Sequence, residues 1–327
     1  MVAAPRKNVM PGIEIVLPAT SANLGPAFDS AAIAIRLYLK VRAFADREFR
    51  VAAHGRDAKI CARPDNNLLI ETYRDVMKQN GRELLPLRIL MQNEVPVGKG
   101  LGSSAAARLA GVALAVHFGK LRWIDQQIVA EAARREHHAD NAGACWLGGL
   151  VLVGSGDAGQ GLTDRAPAYR IRVLGDWPLL FAIPRHPLST EKARSVLPDS
   201  YSSSDAVANV QRAMLLAAAF LQGRSDLLRQ ALDDCIHQPY RSAFCPLLEP
   251  LRSLAGQHGI IGAVLSGAGP SVLLFLDPQE SAARIRRRIG ALLRQQRLDA
   301  ELVLTKLETR GARERRRRIT SSRSVRG

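Results

Sequence analysis

Apolar and polar positions alternate over residues 13–19 ("IEIVLPA") and again over 31–45 ("AAIAIRLYLKVRAFA"). A period of two predicts strands, the second with its turn. Residues 66–79 follow the helical period and stop at Asn80-Gly81. "LRILMQNEVP" (87–96) predicts a strand running into a glycine loop. Residues 103–118 predict a helix that Ser103 or Ser104 caps, Ala and Leu fill, and Gly119 ends. A helix over 124–137 and a strand over 146–154 ("WLGGLVLVG") complete the first half.

Composition shifts over 155–168 ("SGDAGQGLTDRAPA"), where a domain boundary or long turn is expected. Beyond it the pattern predicts a strand (179–184), helices (205–221 and 225–236), and a strand–loop–strand, "GAVLSGAGPSVLLFL". A basic helix (280–296) and a strand (300–307) follow. Strand pairs interspersed with helices, without an internal repeat, predict an α+β protein rather than a doubly wound sheet. The expected division is a first domain over 1–165, a second over 166–311, and an Arg-rich disordered tail over 312–327.

Length and charge sharpen this picture. The chain has 327 residues, 47% of them hydrophobic, and a net charge of +16. That allows a sizeable core and about two domains. Residues 311–327 hold seven Arg against one Glu, yet the rest is still basic, which favours an anionic ligand such as a nucleotide, or nucleic acid. Four scattered cysteines (Cys61, Cys145, Cys235, Cys245) have no metal-ligand spacing and read as buried or free thiols of a reduced protein. No apolar run reaches membrane-spanning length, and "MVAAPRKNVMPG" lacks a signal-peptide stretch, so a cytoplasmic location is expected.

The candidate chemistry starts at "PVGKGLGSSAAAR" (96–108). It is not a Walker A loop, because Lys99 precedes Gly100 rather than Ser or Thr. It is not a dinucleotide fingerprint, because Ser103 stands where the third Gly is needed. The physics of a phosphate cradle remains: glycines bring backbone N–H groups close, and a helix points its positive end at them. A plain helix cap is the alternative.

Four further stretches change the balance. "PATSANLGPAFD" (18–29), "EVPVGKGLGSSAAA" (94–107), "HHADNAGACWLGG" (137–149) and "LSGAGPSV" (265–272) occur in the order of the motifs of the GHMP kinase family, which the chain resembles. Within that family, PATSANLGPxFD and HxDN resemble the homoserine kinase branch. "GAR" (311–313) resembles the usual end.

The resemblance implies a two-domain fold, with an N-terminal ribosomal protein S5 domain 2-like unit and a C-terminal ferredoxin-like α/β sandwich. It implies ATP-dependent phosphorylation of a small hydroxyl compound, L-homoserine, in threonine biosynthesis. ATP would lie on Asn67, Pro96, Val97, Gly98, Lys99, Gly100, Leu101, Gly102, Ser103 and Ser104. Asn66 is a weaker candidate for adenine, and a turn-forming Asn is the alternative. Lys99 either reaches a phosphate or points into solvent. Mg²⁺ would be held by Ser104 and Glu136, with Glu131 as the other candidate and an exposed helix Glu as the alternative for either.

A zwitterionic acceptor needs a cationic clamp, an acid for its ammonium and polar groups at its hydroxyl. By resemblance "LSTEKARSVLP" supplies Thr190 and Arg194, and "CIHQPYRSAFCP" supplies Arg241. Asn23 and Asp29 match substrate-contacting positions of the first motif, and His138, Asp140 and Asn141 match HxDN. Asn141 would orient the attacking hydroxyl and Asp29 would hold the ammonium; these two are the expected catalytic residues. A His-x-Asp metal site lacks a third ligand.

The chain departs from the family pattern at Ala27, at "DSAAIAI", and at "NAGACW" (141–146), which puts a reshaped acceptor pocket in question. Two rival readings stay open. One is a GHMP kinase with a mevalonate- or sugar-type acceptor. The other is a non-catalytic nucleic-acid-binding protein on this fold. Contact with nucleic acid is expected only weakly, through the Arg-rich tail, whose deletion (312–327) should spare activity. A homodimer is consistent with the resemblance, and no membrane partner is expected.

Overall fold

The computed structural model describes residues 11–154 and 167–320. The chain opens with two long strands, β1 (Gly12–Asn23) and β2 (Ala27–Ala45), then β3 (Arg50–Gly55), α1 (Ala58–Cys61), α2 (Leu68–Gln79) and β4 (Leu87–Asn93). Helices α3 (Ser103–Phe118), α4 (Asp125–Glu136) and α5 (Asp140–Leu147) follow, and β5 (Leu150–Val153) and β6 (Ala168–Ile171) form a hairpin.

The second half holds β7 (Pro178–Pro184), α6 (Thr190–Arg194), α7 (Ser203–Gln222), α8 (Ser225–Ala231), α9 (Gln238–Arg241) and α10 (Leu248–Arg252). It continues with β8 (Ile260–Leu265), β9 (Val272–Leu276), α11 (Ala282–Gln295), β10 (Ala300–Lys306) and β11 (Arg316–Ile319).

Among the described residues there are two sheets. The larger runs β11-β1-β2-β4-β3, with β5 and β6 attached through β2. β2 is long enough to pair β4 with its second half and β5 with its first. The smaller sheet runs β10-β7-β9-β8, antiparallel throughout. β7, β8 and β9 are apolar without a break because both faces are covered, whereas the edge strand β10 carries Glu301 and Lys306 exposed. Leu179, Phe181 and Phe275 face a core that continues into the large sheet. Leu180, Ala182 and Leu274 face a second core with α10 and α11. α3 is buried around most of its circumference, and α2 packs closely on it at Gly111, where a Cβ would sit 2.4 Å from Leu69 O.

Several expectations need correction. The strand predicted from 146 begins at Leu150, because Trp146 and Leu147 belong to α5, a short buried helix whose apolar run reads like a strand. The helix predicted over 225–236 ends at Ala231. No side chain caps α3; Gly102 is its N-cap at φ +71, and Ser103 and Ser104 are its first two residues.

The boundary expected at 165/166 lies outside the described residues; β6, which follows it, pairs with β5 in the first sheet. The tail is not disordered from 312. Residues 312–314 form a 3-10 turn, and Arg316–Ile319 pair with Gly12–Ile15. Arginine composition suggested a solvated end, but an edge strand tolerates such side chains and is protected by them. Residues 321–327 lie outside the described ones.

Candidate active site

Three tight turns meet where the two sheets adjoin. The β1–β2 turn places Asn23, Leu24, Gly25 and Asp29 at positive φ. In the loop before α3, Gly98, Gly100 and Gly102 are all at positive φ. The third turn, between β8 and β9, is "SGAGPS".

The loops interlock. Thr20 N donates to Leu101 O (3.1 Å), and Gly267 N donates to Ala22 O (3.1 Å). Ser266 Oγ donates to Gly100 O (2.6 Å), and Asn23 Nδ2 donates to Gly267 O (2.9 Å). Glycine is required here by space as well as by φ. A Cβ on Gly100 would lie 2.2 Å from Ser266 O, and one on Gly102 would lie 1.9 Å from Thr20 Oγ1.

A cleft of about 80 Å³ opens at this junction. Its wall includes Asn23, Asp29, His138, Asp140, Asn141, Thr190, Arg194 and Arg241, so every residue expected on the acceptor side comes together in one place. A second cavity, about 360 Å³, adjoins it and is mostly apolar, with Leu39, Leu69, Met91, Val95 and Val97 in its wall. Gly98, Ser103, Ser104, Leu188 and Thr190 line both. The uncapped N-terminus of α3 lies at this shared wall, a ready place for an anion.

Charge is unevenly spread in the cleft. Arg194 Nη2 donates to both oxygens of Asp29 (2.7 and 2.9 Å). The Arg194 and Arg241 guanidiniums lie 5.3 and 5.2 Å from the centre of the Phe28 ring, so one aromatic ring contacts both like charges. Burial first, then the Arg194 charge, pushes the Arg241 pKa down to about 10, which leaves it charged at neutral pH. His138 Nδ1 lies 2.9 Å from Asp140 Oδ1. Burial opposes the His138 imidazolium, but the hydrogen bond and charge of Asp140 outweigh it, and its pKa is raised. Asn141 Oδ1 accepts from Thr20 Oγ1 (2.6 Å).

Ser104 Oγ donates to Glu136 Oε2 (2.6 Å), and Arg108 Nε donates to Glu136 Oε1 (2.5 Å). Two hard oxygens thus meet beside the anion-ready helix end, a donor set that suits a magnesium ion taking its remaining ligands from phosphates and water. Glu131 is engaged elsewhere, by Arg134 and Arg135. Among the described residues no cluster of three or more His, Cys, Asp or Glu side chains forms a metal-binding set.

Two expected ligand contacts are otherwise occupied. Lys99 Nζ donates to Pro184 O (2.6 Å) and Arg185 O (2.5 Å), tying the loop to β7 instead of reaching a phosphate or solvent. Asn67 borders the larger cavity, but its carboxamide is saturated. It accepts from Leu69 N and Ile70 N and donates to Cys61 O and Arg63 O, capping α2. Pro96 is not in the lining of either cavity, whereas Val97 is held there by Asp57 Oδ2 on its backbone N–H (2.9 Å).

The departures from the family pattern do not reach the acceptor cleft. Cys145 and Trp146 are buried in the core, where Trp146 Nε1 donates to Asp125 Oδ1 (2.9 Å), and Ala27 borders a different groove. All four cysteines are free thiols, Cys145 and Cys245 buried. Sequence reasoning missed Thr20, Phe28, Arg108 and His237, although all four fall in quoted stretches; their packing partners Asn141, His237, Glu136 and Gly25 lie far away in the chain.

Comparison with known proteins gives a consistent result. The family descriptions "GHMP kinases N terminal domain" and "GHMP kinases C terminal" match residues 67–149 and 216–295. The chain is 43% identical over 262 residues to a homoserine kinase of Solibacter usitatus, covering 80% of this chain and 84% of that one. It is 37% identical over 268 residues to one of Deinococcus radiodurans, covering 82% and 85%.

The solved homoserine kinase of Cytophaga hutchinsonii shares the fold (TM-score 0.78, 24% identity, 95% and 98% covered). A putative homoserine kinase of Listeria monocytogenes gives a TM-score of 0.71 at 29% identity, with 91% and 97% covered.

Proposed function

The chain belongs to the GHMP kinase family, with its homoserine kinases, and from that premise we propose how it phosphorylates the side-chain hydroxyl of L-homoserine with ATP. The observation that carries the acceptor is the small cleft that sets one acid, Asp29, with two guanidiniums, Arg194 and Arg241, while its other acid, Asp140, is paired with His138. A zwitterion of homoserine size matches that set: its ammonium faces Asp29 and its carboxylate faces the arginines.

ATP lies across the shared wall, its base in the larger apolar cavity and its phosphates on 98–104. Adenine there meets apolar side chains and backbone rather than the carboxamide of Asn67, which is already used. Ser104 and Glu136 would hold a magnesium ion, whose charge would offset that of the phosphates. Phosphoryl transfer then needs chiefly positioning. The N-terminus of α3 stabilises charge on the transferring group. Asn141, steadied by Thr20, orients the hydroxyl, and His138 with Asp140 shapes the wall beside it.

The test is ADP release from Mg-ATP with L-homoserine, L-serine, L-threonine, mevalonate and galactose offered separately. Stimulation by L-homoserine above all others is the expected result. Equal or greater stimulation by mevalonate or galactose would overturn the acceptor assignment.

A further inference from the structure

Arg241 is a cation with 1% of its surface exposed, and among the described residues no carboxylate forms an ion pair with it. Its Nε donates to Ala193 O (2.9 Å), and its Nη1 lies 3.0 Å from His237 Nδ1. A buried guanidinium without a counter-ion is costly unless a ligand brings the missing charge. How such a group is aimed therefore matters as much as its presence.

His237 does the aiming. It is fully buried, and its ring stacks on Phe28 with centroids 5.3 Å apart and planes at 27°. Nε2 lies 2.9 Å from Gly25 O, an acceptor, so the ring proton belongs on Nε2 and Nδ1 is left to accept from Arg241. Asp234 lies 3.5 Å from Nε2, but its oxygens accept the backbone N–H groups of Ile236, His237 and Gln238. Burial first, with the Arg241 and Arg194 charges, outweighs Asp234 and holds the His237 pKa at about 4, so the ring is neutral in working conditions.

We infer that His237 is a positioning residue: as a neutral acceptor it fixes one Nη1 hydrogen of Arg241 and so turns the remaining N–H groups toward the acceptor's carboxylate. It also joins the Gly25–Phe28 turn, which carries Asp29, to α9, which carries Arg241. The two ends of the zwitterion are thus set at a fixed separation. This inference rests on the homoserine reading above.

Three variants separate the two ring nitrogens. In His237→Asn the side-chain oxygen can stand where Nδ1 stood and accept from Arg241. In His237→Gln the amide can reach Gly25 O, but the acceptor for Arg241 is lost. His237→Phe keeps the stacking alone. Each is assayed with L-homoserine and with 2-amino-1,4-butanediol, which lacks the carboxylate, while the KM for ATP is followed.

Expected is a KM for L-homoserine raised about 10-fold or more in the Gln and Phe variants and largely rescued in Asn, with the KM for ATP and the diol kinetics unchanged. Should His237→Phe not fold, the Asn–Gln contrast decides alone. Equal behaviour of Asn and Gln, or parallel losses with acid and diol, would overturn the inference. A wild-type protein inactive on L-homoserine would instead remove the reading on which it rests.

Discussion

Asp29 and Arg194 hold each other across the acceptor cleft, with Arg194 Nη2 2.7 and 2.9 Å from the two carboxylate oxygens. In the proposed reading Asp29 meets an ammonium and Arg194 a carboxylate, and in the protein alone the two satisfy one another. A bound zwitterion exchanges this one pair for two, so binding loses less than the burial of two isolated charges would suggest. Asp29→Asn should raise the KM for L-homoserine about 10-fold or more and leave the KM for ATP within about 2-fold. A matched rise in both would place Asp29 outside the acceptor site.

Asn141 accepts from Thr20 with its oxygen and donates one amide hydrogen to Asp140 Oδ1 (3.3 Å), which leaves its second amide hydrogen for the cleft. Asn141→Ala should lower kcat about 10- to 100-fold while raising the KM for ATP little. An unchanged kcat removes Asn141 from the chemistry.

Glu136, not Glu131, stands against Ser104. Glu136→Gln should raise the Mg²⁺ concentration for half-maximal nucleotide binding at least about 10-fold, whereas Glu131→Gln should not. Fluorescent-nucleotide titration at varied Mg²⁺ reads this without turnover. The reverse ranking would reassign the ligand.

His138 has a pKa raised above 6.5 by Asp140 in spite of burial. A raised folded-state pKa stabilises the fold fully below 6.5, and the contribution fades as pH rises through the folded value. The unfolding midpoint of wild type relative to His138→Gln should therefore be highest below pH 6.5 and shrink as the pH rises above it. A gap that grows with pH contradicts the pairing.

Ending the chain after residue 311 removes β11 and the Arg315–Glu308 ion pair (2.7 Å). Glu308 also takes the hydroxyl of Tyr38, whose pKa burial and that contact push up to about 12. The shortened protein should unfold several degrees lower, by the usual scaling of about 2–4 °C per kcal/mol. Ending after 320 keeps every described contact and should not shift the midpoint. Equal midpoints for the two truncations would mean β11 contributes nothing.

What the sequence reveals here depends on how far apart the interacting residues lie. Ser103–Phe118 was legible because its signals are local: three glycines, then a sixteen-residue segment rich in Ala and Leu, and a closing Gly119. The residues expected on the acceptor side came from resemblance, and one cleft gathers all of them. Lys99 and Asn67 were not, because whether a polar side chain meets a ligand or a carbonyl is decided by packing partners such as Pro184, 85 positions away. Glu131 and Glu136 differ only in which neighbour faces them. His237 sat within a quoted stretch, but its role depends on Gly25 and Phe28, more than two hundred residues earlier. The tail was misjudged from composition, since a row of arginines reads alike as a solvated end or as an edge strand.

The pairing of β11 with β1 also orders the protein in time. Glu14 and its partner Arg317 are 303 positions apart, so β1 leaves the ribosome on the order of tens of seconds before its outer neighbour exists. During that interval one flank of β1 has unpaired backbone groups, the template for joining another nascent chain. Translation that stalls shortly before Arg316 would release polypeptides carrying every residue that lines the two cavities and an open seam.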